Sequence, residues 1–245
     1  FECDKFFPKI VHTMFMIEQI SDLKDENGIY FRYFTYKQNN SNNIKYCNKE
    51  ELQFKKFIQN ILENGLLRND RTGVGTISLF APTSMKYDLS SHFPLCTIKR
   101  GFFRAVFEEL MLYIRGQTDN NILKEKKIHI WDGNTTREFL DKRGLTHLPE
   151  GDMGETYGFN MRHYGGDYLD CKTTYDMNNG FDQLKYVINE IKNNPHSRRI
   201  LINLWNPKTT CNAALPSCLH QYQFYVDTDK KTLSVQIYLR SSDVF

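Results

Sequence analysis

The chain is predicted to fold as an α+β protein, and three observations lead there. Amphipathic helix patterns and strand patterns both occur along it. They follow one another without the regular alternation of a parallel βαβ protein. The last two strand patterns are separated only by the short polar stretch 227–231, which suits antiparallel pairing.

Taken in order, Asn27-Gly28 is a two-residue turn signal, and the aromatic-rich stretch 29–36 after it reads as a strand. Together they suit the last hairpin of a sheet. Asparagine, lysine and serine then dominate up to residue 48, so 39–48 reads as a solvated junction between a first domain, 1–38, and a second, 49–245. Asn48 and Glu51 have capping-box spacing, and Phe54, Phe57, Ile58, Ile61 and Leu62 recur at helical intervals until Gly65 stops the pattern. A second helix is predicted over 103–115, closed by Gly116. A third covers 181–194, with Phe181, Leu184, Val187, Ile188 and Ile191 on one face and Pro195 ending it. Strands are predicted over 199–205, 220–226 and 233–240. There is no internal repeat.

Composition narrows the function classes. At 245 residues, with 40% apolar and 14% aromatic residues, the chain has ample material for a packed core. Its 32 basic residues exceed the 29 acidic ones by only three, an even balance that gives no nucleic-acid footprint. No apolar run reaches the length of a membrane span, and no basic-then-apolar leader opens the sequence. The six cysteines, at 3, 47, 96, 171, 211 and 218, form no Cys-x-x-Cys pair, which argues for reduced thiols in a cytoplasmic protein with neither disulfide nor zinc site. The missing initiator methionine and the ending at Val244-Phe245 lead us to expect a segment cut from a longer chain.

One stretch carries most of the chemistry. Cys218 follows the turn Ala214-Leu215-Pro216-Ser217 at the mouth of a predicted strand, so it is presented rather than packed, as a thiolate nucleophile needs to be. The competing reading is a small buried hydrophobe. Three arginine segments favour the first: Asp70-Arg71-Thr72-Gly73, Ser197-Arg198-Arg199 and Arg240-Ser241-Ser242-Asp243. Arginine forks grip phosphate oxygens in pairs, so a phosphorylated substrate is suggested.

These segments, with Arg68-Asn69-Asp70-Arg71-Thr72-Gly73-Val74-Gly75-Thr76, Phe93-Pro94-Leu95, Phe107-Glu108-Glu109-Leu110, Ile130-Trp131-Asp132, Arg137-Glu138-Phe139-Leu140-Asp141 and Tyr157-Gly158-Phe159, resemble thymidylate synthases in family order. The opening Phe1-Glu2-Cys3-Asp4-Lys5-Phe6-Phe7-Pro8 and the stretch 21–31 resemble the C-terminal end of dihydrofolate reductase, as in a fused reductase–synthase. The resemblance implies the thymidylate synthase fold, a mixed sheet with packed helices, after a reductase remnant. It implies reductive methylation of dUMP to dTMP with methylenetetrahydrofolate as co-substrate, and an NADPH-dependent reductase half that recycles the dihydrofolate. It implies that the Cys218 thiolate adds to C6 of the uracil, making C5 nucleophilic toward the one-carbon unit, and that Arg240 supports that thiolate. Arg71, Arg198, Arg199, Arg240 and Ser241 would hold the phosphate, with Arg198 and Arg199 reaching the partner's site in a homodimer. Glu109 and Tyr157 would organise proton transfer around the base. Trp131 and Asp243 would bind the pterin, and Lys99 the folate tail.

Departures from the family pattern are also expected to matter. Leu219 stands where histidine usually follows the nucleophile, with His220 one place later, and Leu239 replaces a glutamine before Arg240. Asn160-Met161-Arg162 replaces Gln-Trp-Arg, and Glu155 occupies a usual proline. Two other readings stay open: a dCMP hydroxymethylase of the same fold, because the base-reading asparagine of the family falls beyond Phe245, and a catalytically silent nucleotide- or nucleic-acid-binding homologue.

Overall fold

The structure is a computed structural model that describes residues 15–24, 30–38, 49–69, 75–90, 93–96, 98 and 101–244. The Asn27-Gly28 turn, the junction 39–48 and the Asn48 cap lie outside the described residues. The chain divides into two compact units, Phe1–Gly101 and Phe102–Phe245.

In the first unit, β1 (Phe15–Lys24) pairs antiparallel with β2 (Tyr30–Gln38), closing at Lys24↔Tyr30. This is the hairpin that the aromatic stretch called for, with a partner strand that the sequence reading had not singled out. Helix α1 (Lys49–Asn64) runs to Gly65, as its periodicity predicts. Gly65 is required sterically, since a Cβ there would lie 2.4 Å from the Ile61 carbonyl oxygen and 2.5 Å from an Ile77 methyl. β3 (Leu66–Arg68) and β4 (Thr76–Ser78) form a second small ladder. The Gln53 side chain ties the irregular stretch around Lys86 to α1 by bonding the Lys86 backbone twice, at 2.7 and 2.9 Å.

The second unit holds most of the described core. Its helices are α2 (Phe103–Ile114), α3 (Asn121–Glu125), α4 (Arg137–Lys142), α5 (Tyr157–Arg162) and α6 (Gln183–Asn193). Its sheet has the order β5 (Leu201–Asn203), β6 (Leu219–Asp227), β7 (Thr232–Leu239), antiparallel throughout. Leu112, Leu123, Ile128, Met153, Val187, Ile200, Ile202 and Leu204 are almost wholly buried in one cluster. Each such side chain contributes about 1.5–3 kcal/mol on burial.

Three polar devices set the geometry around that core. Arg162 bonds both Asp182 oxygens, at 3.0 and 2.9 Å, and the Ile114 carbonyl at 2.8 Å, so one guanidinium ties the ends of α2, α5 and α6 together. The Asp182 carboxylate also caps α6 by accepting from the Lys185 N–H. This is why α6 starts at 183 and not at 181; Phe181 instead pairs with Tyr164 in an isolated bridge. Gln183 bonds the Asn203 backbone in both directions, at 2.6 and 2.9 Å, in place of a further strand beside β5. β5 is shorter than the strand predicted over 199–205, although backbone bonds to β6 continue just past its ends, from Phe224 N–H to the Ile200 carbonyl and from Leu204 N–H to the His220 carbonyl, each at 2.8 Å. Buried Asp152 accepts from the Tyr168 hydroxyl at 2.5 Å and from the Gly154 and Cys171 N–H groups at 2.6 and 2.7 Å, while burial pushes its carboxyl up.

No described helix is long and apolar enough to cross a membrane.

Candidate active site

The register of the β6–β7 hairpin builds the centre of the site. The pairing runs from Asp227↔Thr232 back to Leu219↔Leu239. One step further, the Arg240 N–H donates to the Cys218 carbonyl at 2.9 Å, so 218 and 240 are cross-strand neighbours. Within β6 the register slips between Leu219 and Gln221, leaving His220 as a bulge residue. A bulge bends and twists its strand, here directly beyond the thiol. The Arg240 side chain reaches back over the turn: Nε donates to the Ser217 carbonyl at 2.8 Å and Nη2 to the Pro216 carbonyl at 3.0 Å. Nη2 also stands 3.6 Å from Cys218 Sγ. The half-buried thiol therefore lies beside a permanently charged guanidinium. The guanidinium rests 5.2 Å above the Trp205 ring, which stacks in turn on His220.

A second group of side chains converges on Tyr157. Its hydroxyl accepts the Cys218 N–H at 2.8 Å, its ring stacks on Tyr113 at 4.8 Å, and the Trp131 ring meets it edge-on at 6.3 Å. Glu109 Oε1 accepts from both the Tyr113 hydroxyl and the Trp131 indole N–H, each at 2.7 Å. Helical spacing explains the division of labour between the paired glutamates. Glu109 and Tyr113, four residues apart, share the inner face, whereas Glu108 turns outward to Lys126. Burial raises the phenols of Tyr157 and Tyr113 and pushes that of Tyr222 up to about 12, so all three hold their protons at neutral pH. Tyr157 thus joins two groups of side chains: its hydroxyl takes the Cys218 N–H beside the Arg240 guanidinium, and its ring packs on the hydrogen-bonded Glu109–Tyr113–Trp131 group.

Of the residues singled out from the sequence, Cys218, Arg240, Tyr157, Glu109 and Trp131 are brought together. Trp131 is 6% exposed, with its N–H held by Glu109. Ser241 and Asp243 lie on the exposed segment directly after Arg240. Arg198 and Arg199 are exposed between α6 and β5; neither guanidinium bonds to another group among the described residues, and neither is brought to Cys218. Arg71 and Lys99 lie outside the described residues. Sequence reasoning missed Tyr113, whose signal was its spacing from Glu109; Trp205, not among the predicted site residues, lies under the Arg240 guanidinium. Among the described residues no group of three or more His, Cys, Asp or Glu is gathered as metal ligands would be.

The Cys218 thiol thus lies beside a cross-strand guanidinium on an α+β unit, with Tyr157 between it and the Glu109–Tyr113–Trp131 group. The family described as thymidylate synthase matches residues 52–245, and the chain belongs to that family. It is 43% identical over 244 residues to the bifunctional dihydrofolate reductase-thymidylate synthase of Paramecium tetraurelia, an alignment covering 99% of this chain and 52% of that protein. It is 50% identical over 206 residues to the probable thymidylate synthase of Schizosaccharomyces pombe, covering 82% and 33%. With the bifunctional protein of Leishmania major it shares 48% over 198 residues, covering 80% and 38%. The chain spans about half the length of the first curated relatives it matches.

Proposed function

We propose that the complete protein methylates dUMP reductively to dTMP, with methylenetetrahydrofolate giving both the one-carbon unit and the hydride that reduces it, and leaving as dihydrofolate. The observation that carries this is the Cys218 thiol 3.6 Å from Arg240 Nη2 in a thymidylate synthase-family chain. Cys218 Sγ forms the bond to C6 of the uracil, and the displaced electron pair makes C5 the nucleophile toward the one-carbon unit. Arg240 stabilises the thiolate before attack and when the thiol leaves again. Glu109, held between Tyr113 and Trp131, and Tyr157, seated on the Cys218 N–H, manage the protons of the base and order the water that takes the C5 proton. Trp131 and Asp243 take the pterin, Lys99 the folate tail, and Arg71 and Ser241 share the nucleotide phosphate with Arg240.

Arg198 and Arg199 serve the phosphate site of a second copy, which makes the working unit a homodimer. Their exposure supports this, as does β7, whose Leu233, Val235, Ile237 and Leu239 are all exposed on an edge strand. The first forty residues belong to a reductase half that uses NADPH to recycle dihydrofolate, a reading supported by relatives whose names carry both activities. We place the protein in the cytoplasm, where a nucleophilic thiol stays reduced. The hydroxymethylase and silent-homologue readings are not favoured, because the matched family and the relatives carry the synthase name.

The test is incubation of the complete protein with a 5-fluorinated dUMP and methylenetetrahydrofolate, followed by peptide mass spectrometry. The adduct is expected on Cys218. Attachment elsewhere, or wild-type turnover by Cys218→Ser, overturns the mechanism.

A further inference from the structure

The loop that carries Cys218 is held by Arg240 on one side, and on the other it borders a small cavity. Residues 153–155 lie against 212–214 here: Ala214 N–H donates to the Met153 carbonyl at 3.0 Å and Glu155 N–H to the Asn212 carbonyl at 3.1 Å. Gly154 between them has φ +73°, and a Cβ there would stand 2.2 Å from the Asn212 carbonyl oxygen, so only glycine permits the approach. The cavity beside it, of about 10 Å³, is lined by Glu155, Asn160, Thr209, Pro216 and Ser217 among others. That is room for one water molecule.

Three side-chain oxygens of its lining residues are buried without a hydrogen-bond partner: Glu155 Oε1, Asn160 Oδ1 and Thr209 Oγ1. Glu155 is 4% exposed and Asn160 2%. The other ends of both groups are committed, Glu155 Oε2 to Asn212 Nδ2 at 3.4 Å and Asn160 Nδ2 to the Glu155 carbonyl at 3.3 Å. Their orientations are therefore fixed, with one acceptor of each left over. Two acceptors cannot satisfy each other, and leaving a buried one unmet costs about 1–3 kcal/mol. A water can donate to both while accepting from the Thr209 hydroxyl. Burial also pushes the Glu155 carboxyl up; the Thr209 hydroxyl lies near enough to temper that rise, with Asn212 and Lys208, yet it makes no hydrogen bond of its own.

We propose that Glu155, Asn160 and Thr209 bind one buried water, and that through it Glu155 acts as a positioning residue for the Pro216–Ser217 stretch beneath the nucleophile. The inference rests on the reading of Cys218 as the nucleophile. Pro216 and Ser217 supply the two carbonyls that Arg240 grips. A shift of that stretch on the cavity side moves both carbonyls, and with them Sγ, away from the guanidinium.

A high-resolution crystal structure of the complete protein should place an ordered water about 2.7–3.2 Å from the three oxygens. Alkylation of Cys218 by iodoacetamide, followed by peptide mass spectrometry, reads the function. Glu155→Gln keeps an acceptor and adds a donor, so it keeps the water and stays within about twofold of the natural rate. Glu155→Ala, and Asn160→Gln, which puts a side chain into the cavity, slow alkylation roughly tenfold or more. If Glu155→Ala does not fold, Asn160→Gln carries the same comparison. A direct Glu155–Thr209 hydrogen bond with no water between them, equal rates for Glu155→Ala and Glu155→Gln, or an unslowed Asn160→Gln overturns the proposal. Alkylation requires neither dUMP nor folate, so a complete protein unable to make dTMP would refute the proposed activity while leaving this comparison intact.

Discussion

Arg240 holds three groups with one side chain, two carbonyls and a sulfur, and that geometry separates it from any other cation. A lysine in its place keeps the charge but offers a single ammonium that cannot span Pro216 O, Ser217 O and Cys218 Sγ together. Hydrogen bonds to charged groups are worth about 1.5–3 kcal/mol, which corresponds to roughly 10- to 100-fold in rate. We predict a loss of that size in Cys218 alkylation and in dTMP formation for Arg240→Lys, measured side by side. Equal alkylation rates in the two proteins would sink the activating role. Cys218 and Arg240 were both legible in the sequence, because a proline turn before a strand and an arginine ending the next one are local patterns. Tyr113 was not. Its four-residue spacing from Glu109 places it on that helix face, but the stacking of Tyr157 against it from another helix is a contact that no local pattern encodes.

The junction of α2, α5 and α6 is where electrostatics and helix geometry meet. Burial works to raise the Asp182 carboxyl, yet the Arg162 fork and the Lys185 N–H together hold it below its ordinary value of 3.8. A carboxyl depressed in the folded state contributes stability that is present above its unfolded value and lost as pH falls through the folded one. Asp182→Asn can keep the cap but loses the charge. Its stability deficit, from urea unfolding, should therefore hold steady above about pH 5 and shrink as pH falls below 4. A deficit independent of pH would show that the ion pair contributes nothing. The long helices α1, α2 and α6 were visible in the sequence because several turns of 3.6-residue periodicity mark them. Helices α3, α4 and α5 were not, since five or six residues give hardly more than one turn and leave no period to read. They exist because the core holds Leu123, Leu140 and Phe159 in place.

Assembly governs the last prediction. If Arg198 and Arg199 complete the neighbouring copy's site, Cys218→Ala and Arg198→Ala proteins, each inactive alone, should restore activity when refolded together. Random mixing puts half the dimers in the mixed form with one sound site each, about a quarter of natural activity. Verified mixed dimers without activity would mean that each copy builds its own site. The hairpin register that sets Cys218 against Arg240 has a further consequence, for the order in which the site comes together. Only 22 residues separate these partners, whereas 61 separate Cys218 from the Tyr157 hydroxyl. Closing the longer loop costs about 0.9 kcal/mol more in chain entropy. The half of the site that arms the thiol is thus the topologically cheaper half, a product of one local hairpin, and the proton-handling half waits on the long-range collapse of the whole unit.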